Sequence, residues 1–207
     1  MLIFKIDTIM RFCWRHIFAH PSIHPAYSIR ACSMYHNIAC TIFNNSTWGE
    51  NVDWRRRHRH TGCIYCSPTD IGVSTTSAGS TMFVLEMNND ENRIMGVGKI
   101  ICGAASAASA EAGNRLAQRK FNVYEYRSYN RYKFIGRERV DRQTQIDSNP
   151  KLAAIFKRLD WMLFRTSRHA KRGRGIQRIP KWITEVAERR CNYTLSRFFD
   201  QLFRSVL

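Results

Sequence analysis

The residues best suited to chemistry in this chain are cationic. Arg165–Lys181 reads RTSRHAKRGRGIQRIPK, with seven Lys and Arg plus His169 and no acid. Guanidinium forks grip phosphate through paired hydrogen bonds, and glycines let a backbone approach a polyanion closely. Arg165, Arg168, Lys171, Arg172, Arg174, Arg178 and Lys181 are therefore candidate phosphate contacts. Arg127, Arg131 and Lys133, with Arg137 and Arg139 nearby, extend the candidate surface. Tyr129 and Tyr132 lie among them and could stack on bases. The competing reading is a solvated basic loop that serves solubility.

A second constellation lies in Asp53–Cys66, DWRRRHRHTGCIYC, where His58, His60, Cys63 and Cys66 are proper zinc ligands. Cys63-x-x-Cys66 has zinc-knuckle spacing, but no second ligand pair follows at the usual distance. Zinc is the one cofactor these residues suggest; an incidental pair of reduced thiols is the alternative. A thioredoxin-type redox pair would need a βαβ setting, which the pattern lacks. Glu125, Glu138, Asp141, Asp147 and Asp160 are too dispersed for a metal-dependent nuclease and read as local salt partners. Glu86, Asp90 and Glu91 read as a solvated group at a hairpin turn. No Walker, Rossmann or nucleophile signature is complete.

The charge balance sharpens the first constellation. The 207 residues hold 33 Lys+Arg against 16 Asp+Glu, a net charge of +17. Residues 151–181 carry ten Lys and Arg against Asp160 alone, so more than half of that excess falls in one segment. The expected partner is nucleic acid or another polyanion. No stretch is long and apolar enough for a transmembrane helix. Seven cysteines, an odd number, point to a reducing intracellular compartment rather than a disulfide framework. Asp7 is the sole acid before Glu50, so an organellar (mitochondrial) transit peptide is a minor alternative, as is a start at Met82.

The elements that must position these residues read as an α+β fold. Residues 1–77 are expected to form an irregular basic extension and 78–207 the folded domain, with the Ser/Thr/Gly-rich linker 67–81 spanning the boundary. Thr81–Asn88 and Arg93–Cys102 form a β-hairpin around Asn89–Asn92. Gly96 and Gly98 share one strand face, where glycines permit close packing or a bulge. Residues 103–118 suggest a short helix or a crossover. Phe121–Arg127 and Arg131–Val140 read as a second hairpin with an aromatic face, Tyr124 and Tyr126 opposite Tyr132 and Phe134. Asn149 and Pro150 open a helix whose Leu152, Ile155, Phe156, Leu159, Met162 and Leu163 make one apolar face. Pro180 opens a last helix carrying Leu195, Phe198, Phe199, Leu202, Phe203 and Val206. Helices packed on one face of a small antiparallel sheet of two hairpins is the expected architecture.

Three resemblances bear on function. Lys171-Arg-Gly-Arg-Gly-Ile176 resembles the phosphate loop of GNAT acetyltransferases, and RIMGVGKI the strand that family places before it. In that family the loop follows the strand directly, whereas about 70 residues intervene here, and its amide or basic position falls on Ala170. That resemblance implies coenzyme A binding. NVYEYRSYNRYKFIGRERVDR with LDWMLFRTSRHAKRGRGIQRIPKW, preceded by FVLEMNNDENRIMGVGKI, is similar to uncharacterised proteins of large nucleocytoplasmic DNA viruses. It spans roughly residues 82–182 and implies a viral protein, packaged in the virion or active around viral nucleic acid. A small sheet with a GVG strand is loosely similar to PUA-like RNA-binding domains. The leading expectation is non-enzymatic, sequence-nonspecific nucleic-acid binding; a virion assembly protein and a GNAT-like acyltransferase are the alternatives.

Overall fold

The structure is a computed structural model that describes residues 38–69, 80–102, 122–173, 175–191 and 195–206. It is α+β, with a five-stranded mixed sheet and a separate two-stranded sheet. Strand β1 (Ile38–Phe43) leads into helix α1 (Asn45–Arg57), then β2 (Cys63–Ser67), β3 (Thr81–Asn88) and β4 (Arg93–Ile101). A 3-10 turn at Arg127–Asn130 precedes β5 (Tyr132–Gly136) and β6 (Glu138–Asp141). Helix α2 (Pro150–Asp160), strand β7 (Ile176–Arg178), helix α3 (Lys181–Cys191) and helix α4 (Leu195–Val206) complete the order. The large sheet runs β6–β4–β3–β1–β7, and β2 pairs with β5 in the small one.

The first hairpin forms as the turn residues require, and Asn92 takes the left-handed conformation (φ 53°) that asparagine tolerates. The second hairpin does not form as expected. Residues 122–126 are not a strand; β5 joins β2, and β6 joins β4 in the other sheet. The sheet is mixed rather than antiparallel because β1 pairs in parallel with β3. An irregular extension therefore does not describe 38–67: β1 is the second strand from the sheet edge, and the chain before residue 77 supplies β1, α1 and β2. The amino-terminal 37 residues, most of the 67–81 linker and the 103–118 segment lie outside the described residues.

Both faces of the large sheet are covered. On one, Phe83, Leu85 and Met87 pack against Ile155, Phe156 and Leu159 of α2 and Phe198, Phe199 and Phe203 of α4. Asn149 caps α2 by accepting from the Lys151 and Leu152 amides, with Pro150 at its first position as the sequence suggests. The single last helix is divided into α3 and α4. On the other face, Ala39, Phe43, Met82, Val84 and Ile100 pack against Trp54 of α1 and Ile64, Tyr65 and Phe134 of the small sheet. Among the described residues, no helix is long and apolar enough to cross a membrane.

Candidate nucleic-acid interface

The basic loop runs from the end of α2 to β7, and its backbone is held at several points. The Ala170 amide donates to the Leu163 carbonyl at 2.8 Å, and the Ala170 side chain is buried. Lys171 Nζ donates to Asn92 Oδ1 at 2.7 Å, while Asn89 Nδ2 donates to the Lys171 carbonyl at 3.1 Å. The loop is thus tied to the turn of the first hairpin. Gln177 Nε2 donates to the carbonyls of Ala170 and Arg172, at 3.2 and 3.4 Å. Gly175 has φ +68°, and a Cβ there would stand 2.3 Å from Ser67 Oγ, so both conformation and space demand glycine. These anchors leave Arg165, Arg168, Arg172 and Lys181 exposed, with Lys171 and Arg178 half-buried. Arg174 lies outside the described residues.

The start of β5, which the second group of cations surrounds in sequence, approaches the end of the loop through Ser67. Ser67 is the register partner of Tyr132, and the close approach of Gly175 brings the loop's end against it. Arg127 and Arg131 are exposed, and the Arg131 guanidinium lies 5.5 Å from the Tyr132 ring centroid. Lys133 is half-buried, and that burial lowers its ammonium pKa. Tyr129 and Tyr132 are partly buried against the small-sheet core, so their rings serve packing as well as surface.

A different group of charges lies beneath, and the sequence pattern missed it. Glu86, expected to be solvated, is fully buried on β3. Arg139 answers it from β6: its Nε reaches Oε1 and Oε2 at 3.1 and 3.0 Å, and its Nη2 reaches Oε2 at 2.8 Å. Tyr65 donates its hydroxyl to Glu86 Oε1 at 2.9 Å, and Arg139 Nη1 donates to Asp141 at 2.8 Å. Burial pushes the Tyr65 hydroxyl well above its ordinary pKa. The GVG glycines make this cluster possible. A Cβ on Gly96 would lie 2.6 Å from Glu86 Oε2, and one on Gly98 would lie 2.0 Å from the Tyr65 hydroxyl. Pairing shifts beside Glu86, from Leu85–Val97 to Met87–Ile94, giving the bulge that such glycines suggest. Trp48 of α1 sits over the cluster, with the guanidinium carbons of Arg139 and Arg55 each 5.7 Å from its ring. These groups saturate one another, and Arg139 is not part of the open surface.

Of the scattered carboxylates, Glu138, Asp141, Asp147 and Asp160 act as local salt partners. Glu138 pairs with Lys99 at 2.8 Å, and Arg142 reaches Asp147 and Asp160 at 2.6 and 3.2 Å. The four zinc candidates are not brought together. Cys63 and Cys66 are three residues apart on β2, so strand alternation sends their thiols to opposite faces. His58 Nδ1 lies 2.8 Å from the Trp54 carbonyl, and His60 Nε2 lies 3.2 and 3.1 Å from the carbonyls of Cys63 and Gly136. Burial pushes both thiols up to about 12, which opposes the thiolate that zinc requires. No group of three or more His, Cys, Asp or Glu suited to a metal occurs among the described residues. The glycines of RIMGVGKI are likewise filled by protein side chains, and the 171–176 loop follows α2 rather than that strand.

No protein-family model matches the chain, and no curated protein or solved structure matches it. The functional reading therefore rests on the geometry of the site.

Proposed function

We propose that this chain binds nucleic acid through the phosphate backbone, without reading base sequence and without catalysing a reaction. The observation that carries the reading is the approach of Gly175 to Ser67, the register partner of Tyr132, which brings the end of the 165–181 loop to the strand that Arg131 immediately precedes. Exposed cations held by a fixed backbone can meet successive phosphates, and releasing the condensed counterions supplies the affinity. The resemblance of residues 82–182 to proteins of large DNA viruses is in keeping with a role around viral nucleic acid.

The test is to neutralise Lys171, Arg172 and Arg174 together and follow oligonucleotide binding by fluorescence anisotropy across a salt series. Affinity is expected to fall, and the slope of log K against log salt to drop by about 0.9 for each duplex phosphate contact removed. Unchanged affinity with an unchanged slope would overturn the reading.

A further inference from the structure

Tyr126 stands apart from the other aromatic residues. It is 77 % exposed, the most open of the large apolar side chains at the described surface, ahead of Ile101 at 53 % and Trp161 at 44 %. A lone exposed ring is ordinary on a protein surface. This one is carried on a loop built to hold still. Asn130 is buried beneath it, and its Oδ1 accepts from the amides of Val123 and Tyr124 at 2.9 and 3.1 Å. Its Nδ2 donates to the carbonyls of Tyr124 and Tyr126 at 2.6 and 3.3 Å. The Tyr129 amide closes the turn by donating to the Tyr126 carbonyl at 3.1 Å. Tyr124 points inward, where Asn51 Nδ2 donates to its hydroxyl at 3.4 Å. A fully satisfied Asn therefore fixes a loop whose outward side chains include Tyr126, Arg127 and Arg131.

We infer that Tyr126 is a stacking platform for an unpaired base, so that the interface takes single-stranded nucleic acid. The inference rests on the phosphate-binding reading above and names its partner. A tyrosine ring offers a flat face to any base, which suits binding without sequence preference. Bases within a duplex are already stacked on their neighbours and cannot use it. Arg127 and Arg131 both follow the ring in sequence and are exposed, so they would supply phosphate contacts on that side of the stacked base. The Glu50 carboxylate, which accepts from the Glu125 amide at 3.2 Å, stands at the α1 side of the loop, so phosphates are favoured toward the arginines.

The full chain, Tyr126→Ala and Tyr126→Phe are compared for binding to a short oligothymidylate and to a duplex of the same length. Tyr126→Ala is expected to weaken single-strand binding about 5- to 150-fold, the loss of one stacked base. Tyr126→Phe keeps the ring and should bind within about 2-fold of the parent chain, since stacking needs the π-face alone. Duplex affinity and the salt slope should not change, because no charge is removed. Equal single-strand binding by Tyr126→Ala, or an equal loss on duplex, overturns the inference. If Lys171, Arg172 and Arg174 still control affinity in that event, the phosphate-binding reading stands and only the stacking role falls. Absence of binding to either probe overturns both.

Discussion

Arg139 and Arg172 carry the same guanidinium into opposite environments. Arg139 has a side chain 6 % exposed and spends its donors on Glu86, Asp141 and the Met95 carbonyl. Arg172 is exposed, and the loop uses its backbone carbonyl as an anchor for Gln177. A buried charge must find partners inside the protein, because no water compensates its desolvation. An exposed charge on a fixed backbone remains available to a partner from outside. Arginine count alone does not separate these roles; the carboxylates within reach do.

The largest consequence of that contrast follows from removing Glu86. Glu86→Ala leaves Arg139 buried without its main partner, which costs about 3–5 kcal/mol, a large part of the stability of an ordinary domain. Thermal unfolding of the variant should show a Tm lower by about 10 °C or more. Replacing both partners together, Glu86→Leu with Arg139→Met, should recover much of the loss, since no charge is then stranded. A Glu86→Ala chain as stable as the parent would break the distinction between the two arginines.

Gly98 tests the space that the cluster occupies. Gly98→Ala puts a methyl group against the Tyr65 hydroxyl and against Cys63, whose Sγ would be 2.6 Å away. Overpacking of this kind costs about 1–3 kcal/mol. Tyr65→Phe removes the nearer obstacle, so the two substitutions together should destabilise by less than the sum of their separate effects. Additive denaturation free energies would show that Gly98 does not serve to seat Tyr65.

The elements visible in the sequence are those with one apolar face and ordinary capping or turn chemistry. The first hairpin, the Asn149–Pro150 cap and the apolar stripes of α2 and α4 all follow from local pattern. Strand β1 escaped because IACTIF is buried on both faces, so it shows no alternation. Helix α1 escaped for the opposite reason: only Asn51 and Trp54 are buried, and its capping box of Asn44 and Thr47 stands before an almost entirely polar stretch. The second hairpin was misread because two adjacent strands, β5 and β6, serve different sheets, a long-range choice that local pattern does not carry. Within the candidate interface, clustered cations were legible from composition. The ring left open was not, because Tyr124, Tyr126, Tyr129 and Tyr132 look alike until Asn130 sorts the inward from the outward.

The edge of the buried cluster offers a pH test with a smaller expected effect. Burial alone would raise the Asp141 carboxyl, but the Thr144 amide and the Arg139 guanidinium outweigh it and hold the group below the ordinary 3.8. A depressed carboxyl stabilises the fold at pH above its unfolded value, and that contribution is lost as pH falls through the folded value. Asp141→Asn should therefore be less stable than the parent near neutrality. The difference should shrink as pH falls below about 3.8 and vanish once both chains carry a neutral side chain. Denaturant titrations across that range measure it, and a difference independent of pH would remove the ion pair as its cause.

The smallest stability effect belongs to Arg172, and there the contrast becomes a statement about function. Arg172→Ala keeps the backbone carbonyl that receives Gln177 Nε2, so the loop remains anchored. Its stability should stay within about 0.5 kcal/mol of the parent chain, as for an ordinary surface substitution. Binding should weaken all the same, because one phosphate loses its cation. On a single strand the salt slope should fall by about 0.7, against about 0.9 on a duplex, so the size of the change also reports which form the interface holds. A chain destabilised by Arg172→Ala while its affinity stays intact would place this arginine with Arg139, among the charges the fold keeps for itself.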